Sequence, residues 1–147
     1  MRHRVKKIKF KYGSDANRML VRKLARNFLN NSRIETTIKK VKVLKPVIEK
    51  LVEKAKIETQ ANKNYLLKIL ADKNLVLRMF KEIGQSLKDK LGGYVRIVRL
   101  GVRHSDGSEM GRLEWAYPVI KSDKSEKIGS QKNRKSDRSD KSDKSEK

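Results

Sequence analysis

Cysteine is absent from this 147-residue chain, which removes disulfides, thiol nucleophiles and zinc fingers together. Histidine is almost absent: only His3 and His104 occur. Neither has a neighbour that would set its tautomer or pKa for acid–base work. Aromatic residues make up 5% of the chain, too few for a base-stacking platform that reads single strands. No run approaches the ~18 consecutive apolar residues of a membrane span. The glycines Gly92, Gly93 and Gly101 lack the spaced triplet or the following lysine–hydroxyl pair of a phosphate loop. Glu49 and Glu53 lie one helical turn apart, yet Lys45, Lys50 and Lys54 surround them, so surface ion pairing outweighs metal binding. The reading is of a chain with no catalytic residue, no metal site, no cofactor, no small-molecule substrate and no membrane partner.

What the chain has in excess is positive charge. It carries 39 Lys and Arg against 17 Asp and Glu, a formal charge of +22. Residues 1–120 hold 29 basic and 11 acidic residues, and residues 121–147 hold 10 and 6. The excess therefore lies mainly in the part able to fold. Such a field opposes compaction and favours a polyanionic partner. Apolar content of 36% is low, but a body of about 105 residues suffices for one small core.

The chain opens with Arg2, His3, Arg4, Lys6, Lys7, Lys9 and Lys11, with no acid before Tyr12. An arm this basic repels itself and stays extended until a polyanion neutralises it. Ser14 or Asp15 can cap a helix over Ala16–Asn30, with Asn30-Asn31 as its left-handed exit. In it Arg18, Arg22 and Arg26 recur every four residues, with Lys23 beside them, and predict a cationic stripe facing a phosphate surface. Ala16, Leu20, Leu24 and Phe28 form another, packing face.

Arg33–Thr36 reads as a short strand. Thr36 or Thr37 then caps a second helix with Ile38, Val41, Leu44, Ile48, Leu51 and Ala55 inward and lysines, among them Lys39 and Lys40, outward. Pro46 predicts a kink or a split there. A third helix spans Ala61–Leu70. A fourth starts at Asp72 or Asn74, buries Leu75, Val76, Met79, Phe80, Ile83 and Leu87, and stops at Gly92-Gly93.

The period then changes. Tyr94–Leu100 and Leu113–Tyr117 flank a turn at His104–Glu109 and predict an antiparallel hairpin, with Val98 and Leu100 suggesting burial of the first strand on both sides. A lone hairpin is only marginally stable, so it needs the helices or the Ile34 segment as a third strand. The fold class is α+β: about four helices on a small antiparallel sheet of two to three strands. Cations Arg96, Arg99, Arg103 and Arg112 sit on the hairpin.

From Lys121 the composition collapses into near-repeats of Lys-Ser-Asp and Lys-Ser-Glu, with Ile128 as the one large apolar side chain. This predicts a disordered, solubilising tail. The organisation expected is a basic arm (1–15), one α+β domain (16–120) and a tail (121–147). The basic N-terminus lacks the apolar region of a secretory signal, so a cytoplasmic location is expected ahead of an organellar one.

Several motifs occur in one order: Met1-Arg-His-Arg4, Leu20-Val-Arg-Lys-Leu-Ala25, Ile34-Glu-Thr-Thr37 before a lysine-rich helix, and Gly92-Gly-Tyr-Val-Arg-Ile-Val-Arg-Leu-Gly101, with Met110 and the strand through Glu114. In this order they resemble the bacterial large-subunit ribosomal protein L17 family over about residues 1–118. The resemblance implies a three-stranded α+β body and a structural, non-catalytic role. It also implies binding to large-subunit ribosomal RNA near the nascent-chain exit side, beside neighbouring large-subunit proteins. It puts RNA contacts on Arg2, His3, Arg4, Arg22 and the Thr36-Thr37 helix start, while Gly93, Tyr94 and Arg96 match the hairpin motif. Ala16-Asn17 stands where the family commonly has His-Arg, and Pro46 interrupts a helix the family usually keeps straight. The tail after Ile120 has no counterpart.

The functional expectation is a ribosomal RNA-binding assembly protein. Its contacts would fall on Arg2, His3, Arg4, Lys6, Lys7, Lys9, Lys11, Arg18, Arg22, Lys23, Arg26, Thr36, Thr37, Lys39, Lys40, Arg96, Arg99 and Arg103. The alternative is a DNA-binding or nucleoid-associated protein, which needs base-reading side chains on a groove-entering helix.

Overall fold

The computed structural model describes residue 10 and residues 13–119. In order these form α1 (Ser14–Asn31), β1 (Arg33–Thr37), α2 (Ile38–Ala55), α3 (Gln60–Leu70) and α4 (Lys73–Arg78). A π-helical segment (Met79–Gly84) continues α4, followed by β2 (Val95–Val102) and β3 (Glu109–Trp115). Four helices thus pack on one three-stranded antiparallel sheet of order β1-β3-β2. The last strand is the central one, so the hairpin and the Ile34 segment close into one sheet. The tail (121–147) and most of the arm lie outside the described residues.

Helix α2 organises the interior, because it touches α1, α3, the π-helical segment and all three strands. Its stripe of Ile38, Val41, Leu44, Ile48, Leu51, Val52 and Ala55 is buried, as the three-and-four spacing requires. Pro46 neither splits nor ends it. The proline lies on the exposed side, where water can replace the missing amide donor. Thr37 occupies the cap position, but neither threonine hydroxyl caps the helix. Thr37 is also the last residue of β1, paired with Met110, so its backbone serves the sheet.

Helix α1 buries Ala25, Phe28 and Leu29, and Phe28 meets Trp115 of β3 with ring centroids 4.7 Å apart. Its ends differ from expectation. Gly13 holds the N-cap position without a side-chain bond, so Ser14 and Asp15 fall inside the helix. There Asp15 complements the positive helix end instead. The left-handed exit is Ser32 (φ 63°), whose amide bonds the Phe28 carbonyl at 2.7 Å. It comes after Asn31 because the chain must turn directly into β1.

Capping is clearer further on. Thr59 accepts from the Asn62 amide, and Asp72 accepts from the amides of Asn74 and Leu75. The fourth helix then widens into π geometry, which keeps Met79, Phe80, Ile83 and Gly84 all buried. Gly84 lies so close to α2 that an added Cβ would fall 2.2 Å from the Ala55 carbonyl oxygen. Helical geometry ends at Ser86, earlier than the Gly92-Gly93 stop expected. Only Leu87 among the next residues is buried, and nothing beyond it rewards another turn.

Helices α1 and α2 lie against one sheet face, where Ile34, Ile97 and Leu113 stand in register, and α3, α4 and the π-helical segment pack behind them. The expected burial of the opposite face is only partial: Val98 is half-buried, while Leu100 is 40% exposed. No second layer of helices among the described residues reaches that side. A register shift between Arg99 and Gly101 marks a bulge at Leu100.

Candidate nucleic-acid interface

The α1 stripe divides. Arg18 is exposed and pairs loosely with Asp15 at 3.5 Å. Arg22 and Arg26 turn instead to the C-terminus of α3. Arg22 donates through Nε to the Ile69 carbonyl (2.9 Å) and through Nη2 to that of Lys68 (3.1 Å). Arg26 donates through Nε to the Leu70 carbonyl (2.6 Å) and through Nη2 to that of Ala71. The Leu67 carbonyl takes the Ala71 amide. Every carbonyl that the end of α3 leaves without an intrahelical donor therefore has a partner, and two positive charges sit at the negative end of its dipole. The expectation of one wholly solvent-facing stripe is corrected accordingly: two of its three arginines join α1 to α3. Lys23 remains exposed.

At the start of α2, Thr36 pairs with Gly111 and Thr37 with Met110. The first turn has no acidic residue. Lys39 is exposed and Lys40 half-buried, and neither has an acidic partner among the described residues. A concavity of about 330 Å³ lies beside this end, lined by Thr37, Ile38, Lys39, Ser108 and Glu109. The helix end without a side-chain cap and Lys39 favour an anion there, and Glu109 on the other side of the concavity opposes it.

On the open face of the sheet, charge alternates across the strands. Arg96 bonds Glu114 at 2.7 Å and Arg112 bonds Glu35 at 2.8 Å. Such cross-strand pairs hold register, though exposure limits each to at most about 1 kcal/mol. Arg103 closes the hairpin turn on Asp106. The Arg103 guanidinium and Ser108 hold the Asp106 carboxyl far below the usual carboxylate range. Arg99 is exposed without an acidic partner among the described residues. Arg2, His3, Arg4, Lys6, Lys7, Lys9 and Lys11 lie outside the described residues.

One cluster has no signal in the sequence pattern. The Tyr94 hydroxyl donates to Glu53 on α2, and Lys56 bonds Glu53 at 3.2 Å while lying 4.8 Å from the Tyr94 ring centre. Burial, then the bond to Glu53, pushes the Tyr94 phenol up; the Tyr94 and Lys56 bonds push the Glu53 carboxyl down. The cluster ties the entry to β2 onto the end of α2. Nothing in local spacing signals a contact 41 residues apart. Glu49 pairs with Lys45 at 3.9 Å, and no group of three metal-ligating side chains occurs among the described residues.

The family described as ribosomal protein L17 matches residues 20–116. A large ribosomal subunit protein bL17 from Methylacidiphilum infernorum is 35% identical over 115 residues, 78% of this chain and 88% of the relative. The protein of that name from Thermodesulfovibrio yellowstonii is 35% identical over 130 residues, 86% and 98% of the two chains. That from Carboxydothermus hydrogenoformans is 39% identical over 100 residues, 68% and 89%.

Proposed function

The chain belongs to the ribosomal protein L17 family, and from that premise we propose that it is a structural constituent of the large ribosomal subunit that binds large-subunit ribosomal RNA. The supporting observation is the surface left over after internal pairing. Lys23, Lys39, Lys40 and Arg99 keep charges that no acid among the described residues neutralises. Packed phosphates are the polyanion that fits such a surface, and each one neutralised releases condensed counterions. The core sets the spacing of those cations, and the arm residues Arg2, His3, Arg4, Lys6, Lys7, Lys9 and Lys11 extend the same field.

In this reading Arg18, Arg96 and Arg103 exchange their acidic partners for phosphate. Arg22 and Arg26 act through the position of α3, and Thr36 and Thr37 through the open end of α2. Residues 16–120 serve as the single anchoring domain between arm (1–15) and tail (121–147). The role is non-catalytic, in the company of neighbouring large-subunit proteins on the cytoplasmic ribosome. The DNA-binding alternative is not favoured, since the family named above is ribosomal. Reconstitution tests the proposal: the purified chain should co-sediment with large-subunit RNA and dissociate steeply with salt. Recovery with chromosomal DNA in preference to that RNA would overturn it.

A further inference from the structure

A cavity of about 600 Å³ opens between α1, α2 and α3, within the range of small-ligand sites (roughly 300–1,000 Å³). Its walls are aliphatic, formed by Val43 and Val47 of α2 and Ile69 of α3, and Phe10 and Tyr65 add aromatic rings. Arg18, Arg22 and Lys68 line it as well, with Asn17, and no acidic residue does so among the described residues. Arg22 is held by two α3 carbonyls. Its Nε and one N–H on each Nη are engaged, by Ile69, Met19 and Lys68, which fixes the guanidinium plane and leaves its charge and its remaining N–H groups for a ligand.

A flat ring on a chain of anionic groups matches these walls and these cations. Bare phosphate would match only the cations, and an apolar peptide only the walls. We propose that this groove receives one unpaired nucleobase of the large-subunit RNA, packed against Tyr65 and the aliphatic walls, with its flanking phosphates on Arg18 and Lys68. Unstacked bases in loops and bulges are recognised in this way, on aromatic side chains and guanidinium planes. The inference rests on the RNA-binding reading above and deepens it, adding a contact to a base to an otherwise backbone-reading surface.

The test uses the full chain bound to deproteinised large-subunit RNA. Irradiation at short ultraviolet wavelength and mass spectrometry should find a nucleotide joined to the peptide carrying Tyr65 or Phe10. Tyr65→Ala should weaken binding roughly 5- to 100-fold with the salt slope unchanged. Tyr65→Phe should keep the affinity, and Arg18→Gln should lower the slope by about 1. Circular dichroism confirms that each variant is folded, and the cross-link on the unaltered chain stands independently of any variant. A folded Tyr65→Ala protein binding within about twofold of the parent, with no cross-link at either peptide, would overturn the proposal. So would a cross-link from this groove to another protein in assembled subunits. Failure of the unaltered chain to bind the RNA at all would overturn the parent reading and this one with it.

Discussion

Helices α1 and α2 carry the same kind of pattern, an apolar stripe beside a cationic one, yet they use their cations differently. On α1, Arg22 and Arg26 reach across to carbonyls at the end of α3. On α2, Lys39, Lys40 and Lys42 point away from the core without acidic partners among the described residues. The side chains explain the division. A guanidinium presents several donors in a fixed fork and can hold two carbonyls at once, whereas an ammonium is a hydrated point charge. A basic stripe therefore does not declare its partner: arginine near a helix C-terminus is as suited to backbone carbonyls as to phosphate.

The largest effect should come from disturbing the seat of the π-helical segment on α2. Gly84→Ala puts a methyl group against the Ala55 carbonyl, and one of the two elements must move. A loss of about 3 kcal/mol is expected, seen as a thermal midpoint lowered by more than about 10 °C. An unchanged midpoint would mean that the π-helical segment is not seated on α2 as described.

Sharper for the comparison is Arg22→Gln with Arg26→Gln. Glutamine cannot hold the α3 carbonyls in the same fork, so stability should fall by about 2 kcal/mol, with faster amide exchange in the last turn of α3. If stability holds and only RNA affinity falls, α1 is a phosphate surface after all and the contrast fails. Lys39→Gln with Lys40→Gln should do the reverse. Stability should stay within about 0.5 kcal/mol, while the salt slope of RNA binding drops by about 2.

The smallest effect concerns pH. The Glu53 carboxyl is held below its ordinary value of 4.5, so the unfolded chain binds its proton first. Its contribution is present above about pH 4.5 and fades as pH falls through the lower folded value. The Tyr94 phenol is held above 10.0, so its contribution is present at neutral pH and fades as pH rises beyond that. Chemical denaturation across pH should show both shoulders in the parent chain. Glu53→Gln should diminish the acid one, leaving the part carried by Asp106, and Tyr94→Phe should diminish the alkaline one. Undiminished shoulders in both variants would remove the cluster from the account.

Much of the body is legible in residue spacing. The stripe Ile38, Val41, Leu44, Ile48, Leu51 and Ala55 is buried as spaced, and so are Leu75, Val76, Met79, Phe80, Ile83 and Leu87. The alternation around Leu113 marks the hairpin, and Ile34 joins it. Helix ends are harder: Ser32 rather than Asn30-Asn31 makes the exit of α1, and Thr37 stands at a cap without capping. Ends depend on where the next element must go, which periodicity does not carry. For the candidate interface, the residue types are legible and their engagement is not. Arg22 with Ile69, Arg112 with Glu35 and Tyr94 with Glu53 are joined over 47, 77 and 41 residues.

Composition and period by themselves settled that this chain is basic, cysteine-free and α+β, because burial and charge balance follow from residue type and spacing alone. Which cations remain for a partner was settled only by the folded chain. A charge is neutralised by whatever lies within a few ångströms, and those distances exist only once α3 is packed against α1 and β3 has entered between β1 and β2.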